Sequence, residues 1–161
     1  PEIAFKNTLL GGNLGDRKKN INAAIHLIKK SIGKVSRFSS LYQTAAWGNI
    51  TQPDFLNQVI IIHTNLTAAN CLAACLLIEE SLGRKRSFKN APRTIDIDIL
   101  FYNKAKMNQE LLTIPHPALH LRRFVLVPLN ELSPNFKHPV LQKSIHQLLL
   151  QCKDELNVNK I

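Results

Sequence analysis

Positions 93–99 of the chain read Arg93-Thr94-Ile95-Asp96-Ile97-Asp98-Ile99, in which polar and apolar side chains alternate. This period of two predicts a β-strand, whose successive side chains point to opposite faces of a sheet. The isoleucines would pack on a hydrophobic core, and Asp96 and Asp98 would project together from the other face, ~6.6 Å apart at a rise of roughly 3.3 Å per residue. Because two carboxylates at that spacing repel each other unless a cation lies between them, the pattern predicts a strand that presents paired acids to a cation.

A strongly basic segment precedes this strand. Five positive charges stand within ten residues, at Arg84, Lys85, Arg86, Lys89 and Arg93. Magnesium in proteins is usually held by one or two carboxylates together with the phosphates of a substrate. The sequence thus places carboxylates that could bind Mg²⁺ next to basic side chains that could bind phosphate. This combination favours chemistry on a nucleotide phosphate. The acids taken alone leave open a second interpretation, an exposed strand face that binds nothing.

Apolar periodicity, caps and turn residues outline the other elements. Asp16 is a good N-cap, and the apolar positions after it form one stripe of a helix that we expect to end at Gly33 as a C′ glycine. A second helix is predicted between Thr67 and Gly83, and the β-branched run before it is typical of a central strand. The predicted strands span residues 3–10, 34–43, 56–64 and 94–102.

The order strand, helix, strand, strand, helix, strand is that of ferredoxin-like domains. We therefore predict an α+β fold with a ferredoxin-like βαββαβ core, in which helices cover one face of a mostly antiparallel sheet and loops at the other face form a site. No repeat or linker-like stretch divides the chain, so we expect one domain over residues 1–161. Extra C-terminal elements are a strand over 111–114, ended by Pro115-His116-Pro117, and helices over 122–132, interrupted at Pro128, and 144–155.

Composition limits the partners of the chain. It has 161 residues, 45% of them hydrophobic, and its 21 Lys and Arg against 11 Asp and Glu give a net charge of +10, which favours an anionic partner. No apolar run approaches the ~20 residues that span a bilayer and no cationic-apolar leader opens the chain, so we expect a cytoplasmic protein that binds no membrane. Three cysteines do not suggest a disulfide framework, and Cys71 and Cys75 lie among apolar residues that favour core packing over metal binding.

Other motifs are less specific on their own. The glycine-rich turn after the first strand lacks the Lys-Ser/Thr ending of a P-loop, so tight backbone packing is the better interpretation. His116 and His120 have a zinc-like spacing, but the prolines around His116 argue against a helix there, which leaves a phosphate contact or a capped turn residue for His116. Phe55 and Phe124 are core aromatics by default, whereas Trp47 in a polar loop would expose a costly apolar surface.

Several separated segments resemble one family when they are taken together. The resemblance runs from about residue 3 to Pro134 with order and spacing kept, and Pro92 to Asp98 with Pro115-His116 is its most specific part. The chain resembles the hydroxymethyldihydropterin pyrophosphokinases in Leu10-Gly11-Gly12-Asn13-Leu14-Gly15-Asp16, Ser40-Leu41-Tyr42-Gln43-Thr44, Gln52-Pro53-Asp54-Phe55-Leu56-Asn57, Gly83-Arg84, Ala91-Pro92-Arg93-Thr94-Ile95-Asp96-Ile97-Asp98 and Leu112-Thr113-Ile114-Pro115-His116.

The resemblance implies a reaction. Members transfer a pyrophosphoryl group from MgATP to the hydroxymethyl oxygen of 6-hydroxymethyl-7,8-dihydropterin in folate biosynthesis and release AMP. The implied cofactors are two Mg²⁺ ions held by Asp96 and Asp98, with ATP as co-substrate. Loops 45–55 and 84–93 would close over bound ATP. The implied catalytic residues are Arg84, Arg93, Asp96 and Asp98. The residues implied to bind ATP are Glu79, Arg86, Ile99, Thr113, His116 and Arg122. Those implied to bind the pterin, which would stack between the two phenylalanines, are Thr44, Trp47, Phe55, Asn57 and Phe124.

Three positions depart from the family pattern. Asn90 stands where many members carry a tryptophan, Leu111 replaces an arginine, and Pro117 replaces a tyrosine. The resemblance implies that Asn90 affects how the bound pterin is shielded from solvent. It implies that Leu111 and Pro117 affect the affinity for ATP.

A basic ferredoxin-like RNA-binding module is the alternative, because such domains share this element order and charge. The sheet aromatics and the Lys/Arg-Gly-Phe motif of those domains are not found in the sequence. Asp96 and Asp98 would also repel a nucleic-acid backbone. We therefore expect a monomer that acts on small molecules and has no nucleic-acid partner.

Overall fold

The computed structural model describes residues 4–46, 51–84 and 93–161, so the expectations for Trp47, Arg86 and Asn90 lie outside the described residues. The strands of the described part are β1 (Ala4–Gly12), β2 (Gly33–Phe38), β3 (Tyr42–Thr44), β4 (Phe55–Thr64), β5 (Asp96–Tyr102), β6 (Met107–Gln109), β7 (Leu112–Ile114) and β8 (Val158–Lys160). The helices there are α1 (Arg17–Ser31), α2 (Ala68–Ser81), α3 (Arg123–Leu132) and α4 (Ile145–Gln151), with a 3₁₀ turn at Leu119–Leu121.

The main sheet is antiparallel throughout and has the order β5-β1-β4-β3-β8, with β2 beside the other half of β4. The ferredoxin-like α+β prediction is confirmed, since β1, α1, the strands β2 to β4, α2 and β5 follow one another in the expected order. The acid-bearing strand β5 forms one edge of this sheet, with Asp96 opposite Gly11 and Asp98 opposite Leu9. Within the described residues, no strand pairs with the outer side of β5.

Hydrophobic cores lie on both faces of the sheet. On one face, α1 and α2 pack on Ile95, Ile97 and Ile99, as the alternation predicts. On the other face, α3 and α4 pack on Leu9 and Leu100. The predicted pair of helices thus covers one face, and the extra C-terminal elements cover part of the second. Since Asp96 and Asp98 alternate with the isoleucines, they belong to this second face, beside α3.

The glycine-rich turn packs backbone against backbone, as predicted. A Cβ on Gly12 would lie 2.3 Å from the carbonyl oxygen of Thr94. The N–H groups of Asn13 and Leu14 donate to the carbonyl oxygen of Arg93 at 2.9 and 3.1 Å. The turn therefore fastens the end of β1 to the residues that lead into β5.

The predicted helix caps are mostly confirmed. The side chain of Asp16 accepts the N–H of Lys19, and that of Thr67 accepts the N–H of Asn70. Gly83 ends α2 with a φ of +87°. Gly33 follows the C-cap Ile32 of α1 and so occupies C′ as predicted. It has no left-handed φ, however, and opens β2, where a Cβ would lie 2.0 Å from the carbonyl oxygen of His63, so close strand packing requires the glycine.

The strand predicted over 34–43 is wrong as a single element, because it divides into β2 and β3. The cause lies at Ser39, whose Oγ accepts the N–H of Val59 at 2.9 Å and so replaces a backbone acceptor of the ladder. The chain bends there, and β2 and β3 then pair with successive halves of the long strand β4.

The C-terminal elements also differ from expectation. Pro128 does not interrupt α3, because buried apolar side chains on both sides of it hold the helix in place while the proline removes only one N–H donor. Helix α4 ends at Gln151 instead of Glu155, since Asp154 turns back and accepts the N–H groups of Arg123 and Leu156 at 3.0 Å each. The chain then adds β8, which was not predicted, to the edge strand β3.

Candidate active site

Two clefts share the side chain of Asp98. The first, named here the aromatic cleft, has a volume of about 580 Å³ counting its open mouth, and the second, named the histidine cleft, about 590 Å³. The walls of the aromatic cleft include Thr44, Phe55, Asn57, Arg93, Asp96, Arg122 and Phe124. Those of the histidine cleft include Leu72, Ile99, Glu110, Thr113, His116 and Pro117.

The two acids face the same cavity, as the strand alternation predicts. Asp96 and Asp98 both line the aromatic cleft, and Asp98 also lines the histidine cleft. Burial raises the pKa of Asp98, and the nearby carboxylates of Asp96 and Glu79 raise it further, against the opposing effects of Arg122 and Arg84. A desolvated carboxyl group beside another carboxylate is a strong site for a cation, because a cation removes the repulsion that disfavours ionisation.

Arginines of the basic segment balance the charge of Asp96. Arg84 Nη1 lies 2.5 Å from Asp96 Oδ1, and Arg93 Nη1 lies 3.5 Å from Asp96 Oδ2. These ion pairs lie at the wall of the aromatic cleft, since Asp96 and Arg93 both line it. The cleft therefore brings together the acids and two of the cations that the sequence places upstream of them.

Phe55 and Phe124 are walls of the aromatic cleft and are only partly buried. Phe124 also packs against the core of the second face, so the default interpretation as core aromatics is confirmed only in part. A guanidinium group lies over each ring: Arg93 Cζ is 5.1 Å from the centroid of Phe55, and Arg122 Cζ is 5.8 Å from that of Phe124. Guanidinium planes stack on aromatic faces by cation–π attraction. Both rings thus present a face that accepts a flat, electron-poor group.

Polar groups of the aromatic cleft are held in fixed orientations. Asn57 is 3% exposed, and its Nδ2 donates to Oγ1 of the buried Thr44 at 3.2 Å. Its Oδ1 lies against Gly11, where a Cβ would approach it to 2.3 Å. Because its amide is fixed on both sides, Asn57 offers hydrogen-bonding groups of defined direction at the wall of the cleft.

One supporting residue was missed by the sequence analysis. Asn13 is 3% exposed, and its Nδ2 donates to Oε1 of Gln52 at 2.7 Å and to the carbonyl oxygen of Pro53 at 2.9 Å. Its Oδ1 accepts the N–H of Arg93 at 2.9 Å. Asn13 therefore joins the segment before Phe55 to the residue before the acid strand. The only sequence signal for this role is the position of Asn13 in the glycine-rich turn.

His116 lines the histidine cleft with a defined tautomer. Its backbone N–H donates to the carbonyl oxygen of Leu100 at 3.0 Å, and its Nδ1 accepts the N–H of Ala118 at 3.2 Å. Nδ1 must then be unprotonated, so Nε2 carries the ring proton and is a donor. Burial lowers the pKa of His116, and the positive charge of Arg122 lowers it further, while Asp96 opposes them. The ring is therefore a neutral hydrogen-bond donor. The interpretation as a turn residue is confirmed, and the phosphate contact stays a prediction.

Residues 8–134 match the protein family described as 7,8-dihydro-6-hydroxymethylpterin-pyrophosphokinase (HPPK). The chain belongs to this family. The HPPK match covers β1 to α3, which are the elements that carry both clefts. The RNA-binding alternative finds no support.

Relatives from distant organisms agree with the HPPK assignment. The chain is 41% identical over 143 residues to a 2-amino-4-hydroxy-6-hydroxymethyldihydropteridine pyrophosphokinase of Synechocystis, which covers 88% of this chain and 73% of that protein. It is 38% identical over 138 residues to the protein of the same name from Aquifex aeolicus, with 86% of each covered. It is also 42% identical over 123 residues to a mitochondrial folate synthesis bifunctional protein of Pisum sativum, of which it covers 24%.

Solved structures share the HPPK fold. The chain superposes on the crystal structure of Plasmodium falciparum HPPK-DHPS A437G with STZ-DHP with a TM-score of 0.75 at 19% identity. This comparison covers 93% of the chain and 45% of the Plasmodium protein, so the chain spans less than half of the length of that protein. Among the described residues, no helix combines the length and apolar character needed to cross a membrane.

The structure brings together most of the site residues named from the sequence. Thr44, Phe55, Asn57 and Phe124 line the aromatic cleft, and Ile99, Thr113 and His116 line the histidine cleft. Arg122 lines the aromatic cleft and acts electrostatically on both Asp98 and His116. Trp47 and Arg86 lie outside the described residues. Glu79 is not among the residues that line the histidine cleft, so its contact with a nucleotide stays a prediction.

Proposed function

We infer that this chain transfers a pyrophosphoryl group from ATP to the hydroxymethyl oxygen of 6-hydroxymethyl-7,8-dihydropterin in folate biosynthesis, with AMP as the second product. Membership of the HPPK family supports the reaction. One structural observation supports the position at which it would occur. The aromatic cleft and the histidine cleft meet at a single carboxylate, Asp98. A donor and an acceptor bound in the two clefts would therefore have their reacting ends at the same point, which is what an in-line transfer requires.

The aromatic cleft suits a pterin. A flat ring between Phe55 and Phe124 would replace the guanidinium groups that lie over them and would gain offset stacking on both faces. Asn57, fixed by Thr44, would hydrogen-bond the amide edge of the pterin. A buried polar wall of this kind rejects analogues that leave its groups unpaired. We therefore assign recognition of the pterin to the aromatic cleft.

The histidine cleft suits a nucleotide. Its wall combines apolar surface from Ile99 and Leu72 with hydroxyl and imidazole groups from Thr113 and His116. The neutral His116 ring would donate its Nε2 proton to a phosphate oxygen. Arg122 adds positive charge where the two clefts join. The triphosphate of ATP would then extend from this cleft toward Asp98.

We propose that Asp96 and Asp98 hold two Mg²⁺ ions together with the triphosphate. The donor set fits, because both groups are oxygen donors and the raised pKa of Asp98 marks a carboxyl group that a cation would stabilise in its ionised form. Among the described residues, no three His, Cys, Asp or Glu side chains are placed so that they could hold a metal ion together, so phosphate oxygens and water would complete the coordination that Mg²⁺ requires. Magnesium supplies charge neutralisation of the triphosphate when bound.

The arginines have a matching role. Arg84 and Arg93 lie on Asp96, within reach of the position where a phosphate would bind. Guanidinium groups donate two parallel hydrogen bonds to phosphate, a geometry that lysine does not reproduce. We propose that both arginines exchange the carboxylate for phosphate oxygens when ATP binds, and so hold the transferred group in line with the pterin oxygen.

An AMP-release assay tests the function. The purified chain, with ATP and Mg²⁺, should form AMP only when 6-hydroxymethyl-7,8-dihydropterin is present, in equal amount to the pterin diphosphate. AMP formation at the same rate without the pterin would identify an ATP pyrophosphohydrolase instead. Binding of both substrates without any AMP would identify a chain that has kept the clefts and lost catalysis.

The neutral state of His116 gives a pH prediction. We expect His116→Ala to raise the KM for ATP about tenfold, the loss of one hydrogen bond of about 1.4 kcal/mol to a charged acceptor, and His116→Gln to raise it less, because the amide can donate in place of Nε2. Since the pKa of His116 in the folded protein lies below the usual 6.5, the ring stays neutral from pH 6.5 upward. The neutral ring therefore contributes to the stability of the folded protein in that range, and this contribution is lost as pH falls through the folded pKa.

The measurement is the KM for ATP between pH 5.5 and 8.5 in the three proteins. A wild-type KM that stays level from pH 6.5 to 8.5, against the higher value of the alanine variant, is the expected result. A large rise in the wild-type KM across that interval, absent in His116→Gln, would show that the charged imidazolium binds the phosphate and would contradict this assignment.

A further inference from the structure

The outer edge of the acid strand is closed by side chains. Because β5 is an edge strand, the backbone groups that point away from β1 lack a sheet partner. The N–H of Ile97, between the two acids, donates to Oε2 of Glu79 at 2.7 Å. The carbonyl oxygen of Ile95 accepts from Nη1 of Arg84 at 3.4 Å. An acidic and a basic side chain thus take the place of a neighbouring strand beside Asp96.

These two side chains form one unit. Arg84 Nη1 lies 3.3 Å from Oε2 of Glu79, and both side chains are largely buried, at 13% and 4% exposed. The same guanidinium group pairs with Asp96. We name the Glu79–Arg84 pair the edge clip. It connects helix α2, the backbone on both sides of Asp96 and the carboxylate of Asp96 itself.

The end of α2 places Arg84 in the edge clip. The N–H of Arg84 donates to the carbonyl oxygen of Glu79 at 3.1 Å, and the N–H of Gly83 donates to that of Glu80 at 3.0 Å. With Gly83 at a φ of +87°, these bonds make a Schellman motif, in which the chain reverses over the last helical turn. The reversal returns Arg84 to the side of Glu79, so both parts of the clip are set by a rigid helix terminus.

We propose that Glu79 is a positioning residue of the reaction, which holds the register and direction of the strand segment between Asp96 and Asp98 and orients Arg84 for the phosphate. The proposal rests on the proposed function for the roles of the acids and of Arg84. Burial at 3% exposure near two other acids is costly for a carboxylate. Oε2 offsets that cost by accepting both the Ile97 N–H and a charged donor.

The proposed role of Glu79 goes beyond packing, because Arg84 would move when ATP binds whereas Glu79 would keep its bond to the strand. When Arg84 leaves Asp96 for a phosphate, the bond from Ile97 N–H to Glu79 remains and keeps the acids in place. A group that only filled space could be replaced by an apolar residue of similar size. A positioning carboxylate could not, because the Ile97 N–H would lose its acceptor and Arg84 would lose the one that ties it to α2.

Three variants separate these cases. Glu79→Gln keeps an acceptor for the Ile97 N–H but loses the charge that holds Arg84, and Glu79→Ala loses both. Glu80→Gln is the matched control, because Glu80 is the next residue of the same helix, is exposed and joins the Schellman motif only through its backbone. Supporting residues of metal sites typically contribute about 10–100-fold in activity or metal affinity.

The first readout is amide hydrogen exchange at Ile97 in the protein without ligands. We expect faster exchange in Glu79→Ala, and wild-type exchange in Glu79→Gln and Glu80→Gln. The second is Mn²⁺ affinity in the presence of α,β-methylene ATP, measured by electron paramagnetic resonance, which should weaken about tenfold in Glu79→Ala. The third is kinetic: kcat should fall about 10–100-fold in Glu79→Ala and less in Glu79→Gln, with the KM for the pterin nearly constant.

Unchanged exchange at Ile97 in Glu79→Ala, or a kcat equal to that of Glu80→Gln, would overturn the proposal. If Glu79→Ala does not fold, Glu79→Gln decides through its kcat relative to the control. A failure of the proposed function is distinguishable, because a wild-type chain that makes no AMP would still show the exchange effect at Ile97.

Discussion

Replacing Asp98 by asparagine should lower the rate of AMP formation by about 10³-fold while the fold stays intact. Asp98 is part of the wall of both clefts, so under the proposed function its carboxylate would act on the triphosphate and on the attacking oxygen at once. Asparagine has nearly the same volume but no charge, and amide oxygen is a much weaker ligand for Mg²⁺ than carboxylate. Asp96→Asn should lose activity for the same reason and should also weaken the hold on Arg84 and Arg93.

The initial rate of AMP formation at saturating ATP and pterin measures this effect. Asp16→Asn is a matched control, because it removes a carboxylate outside the clefts and asparagine caps a helix as well as aspartate does. A rate within tenfold of the wild type for either cleft variant would remove the metal role proposed for the acids.

Asp98→Asn should raise the stability of the folded protein even though it lowers the activity. A carboxyl group whose folded pKa is raised leaves the folded state with more bound protons than the unfolded chain, whose Asp pKa is about 3.9, so stability falls as pH rises above that value. Asp98→Asn removes this penalty. In EDTA, the variant should therefore melt at a higher temperature than the wild type at pH 7.5, and the difference should shrink toward pH 4.

Phe124→Ala should raise the KM for the pterin about 30–100-fold and change the KM for ATP by less than about threefold. The side chain forms one wall of the aromatic cleft, and its loss removes both buried apolar area and stacking on one face of the pterin. The proposed function places ATP in the histidine cleft, which Phe124 does not line.

Both Michaelis constants should be measured in Phe124→Ala and in Phe38→Ala. Phe38 is the control because it is 43% exposed, lies on β2 outside both clefts and also has a cation, Lys29, over its ring. Equal losses of ATP and pterin affinity in Phe124→Ala would count against the stacking role and would point to a general collapse of the site.

The sequence could predict the acid strand because every local signal there agrees. Alternation places Ile95, Ile97 and Ile99 on one core, and the same alternation forces Asp96 and Asp98 onto the opposite face. The ferredoxin-like order followed from helix caps and apolar periods of the same kind. These features depend on neighbours in sequence, which the sequence displays directly.

Features that depend on competition between distant groups were not predictable in this way. Asp154 accepts the N–H of Arg123 at the start of α3 instead of extending α4, and the hydroxyl of Ser39 accepts the N–H of Val59 in β4 in place of a backbone carbonyl, so one predicted helix is shorter and one predicted strand is split. The pairing of Phe55 with Phe124 came from the family resemblance, since composition favoured core positions for both. Asn13 was missed because its three partners are brought together only by the fold.

The single carboxylate that closes both clefts also limits how this enzyme can change. Under the proposed function, a substitution on the far wall of either compartment would alter the fit of one substrate and leave the other alone. A substitution at Asp98 would affect both substrates together, since it is the one residue common to the two walls among the residues that the structure describes. Selection for a different heterocycle could therefore act on the phenylalanines and their surroundings, while the junction would tolerate almost no variation.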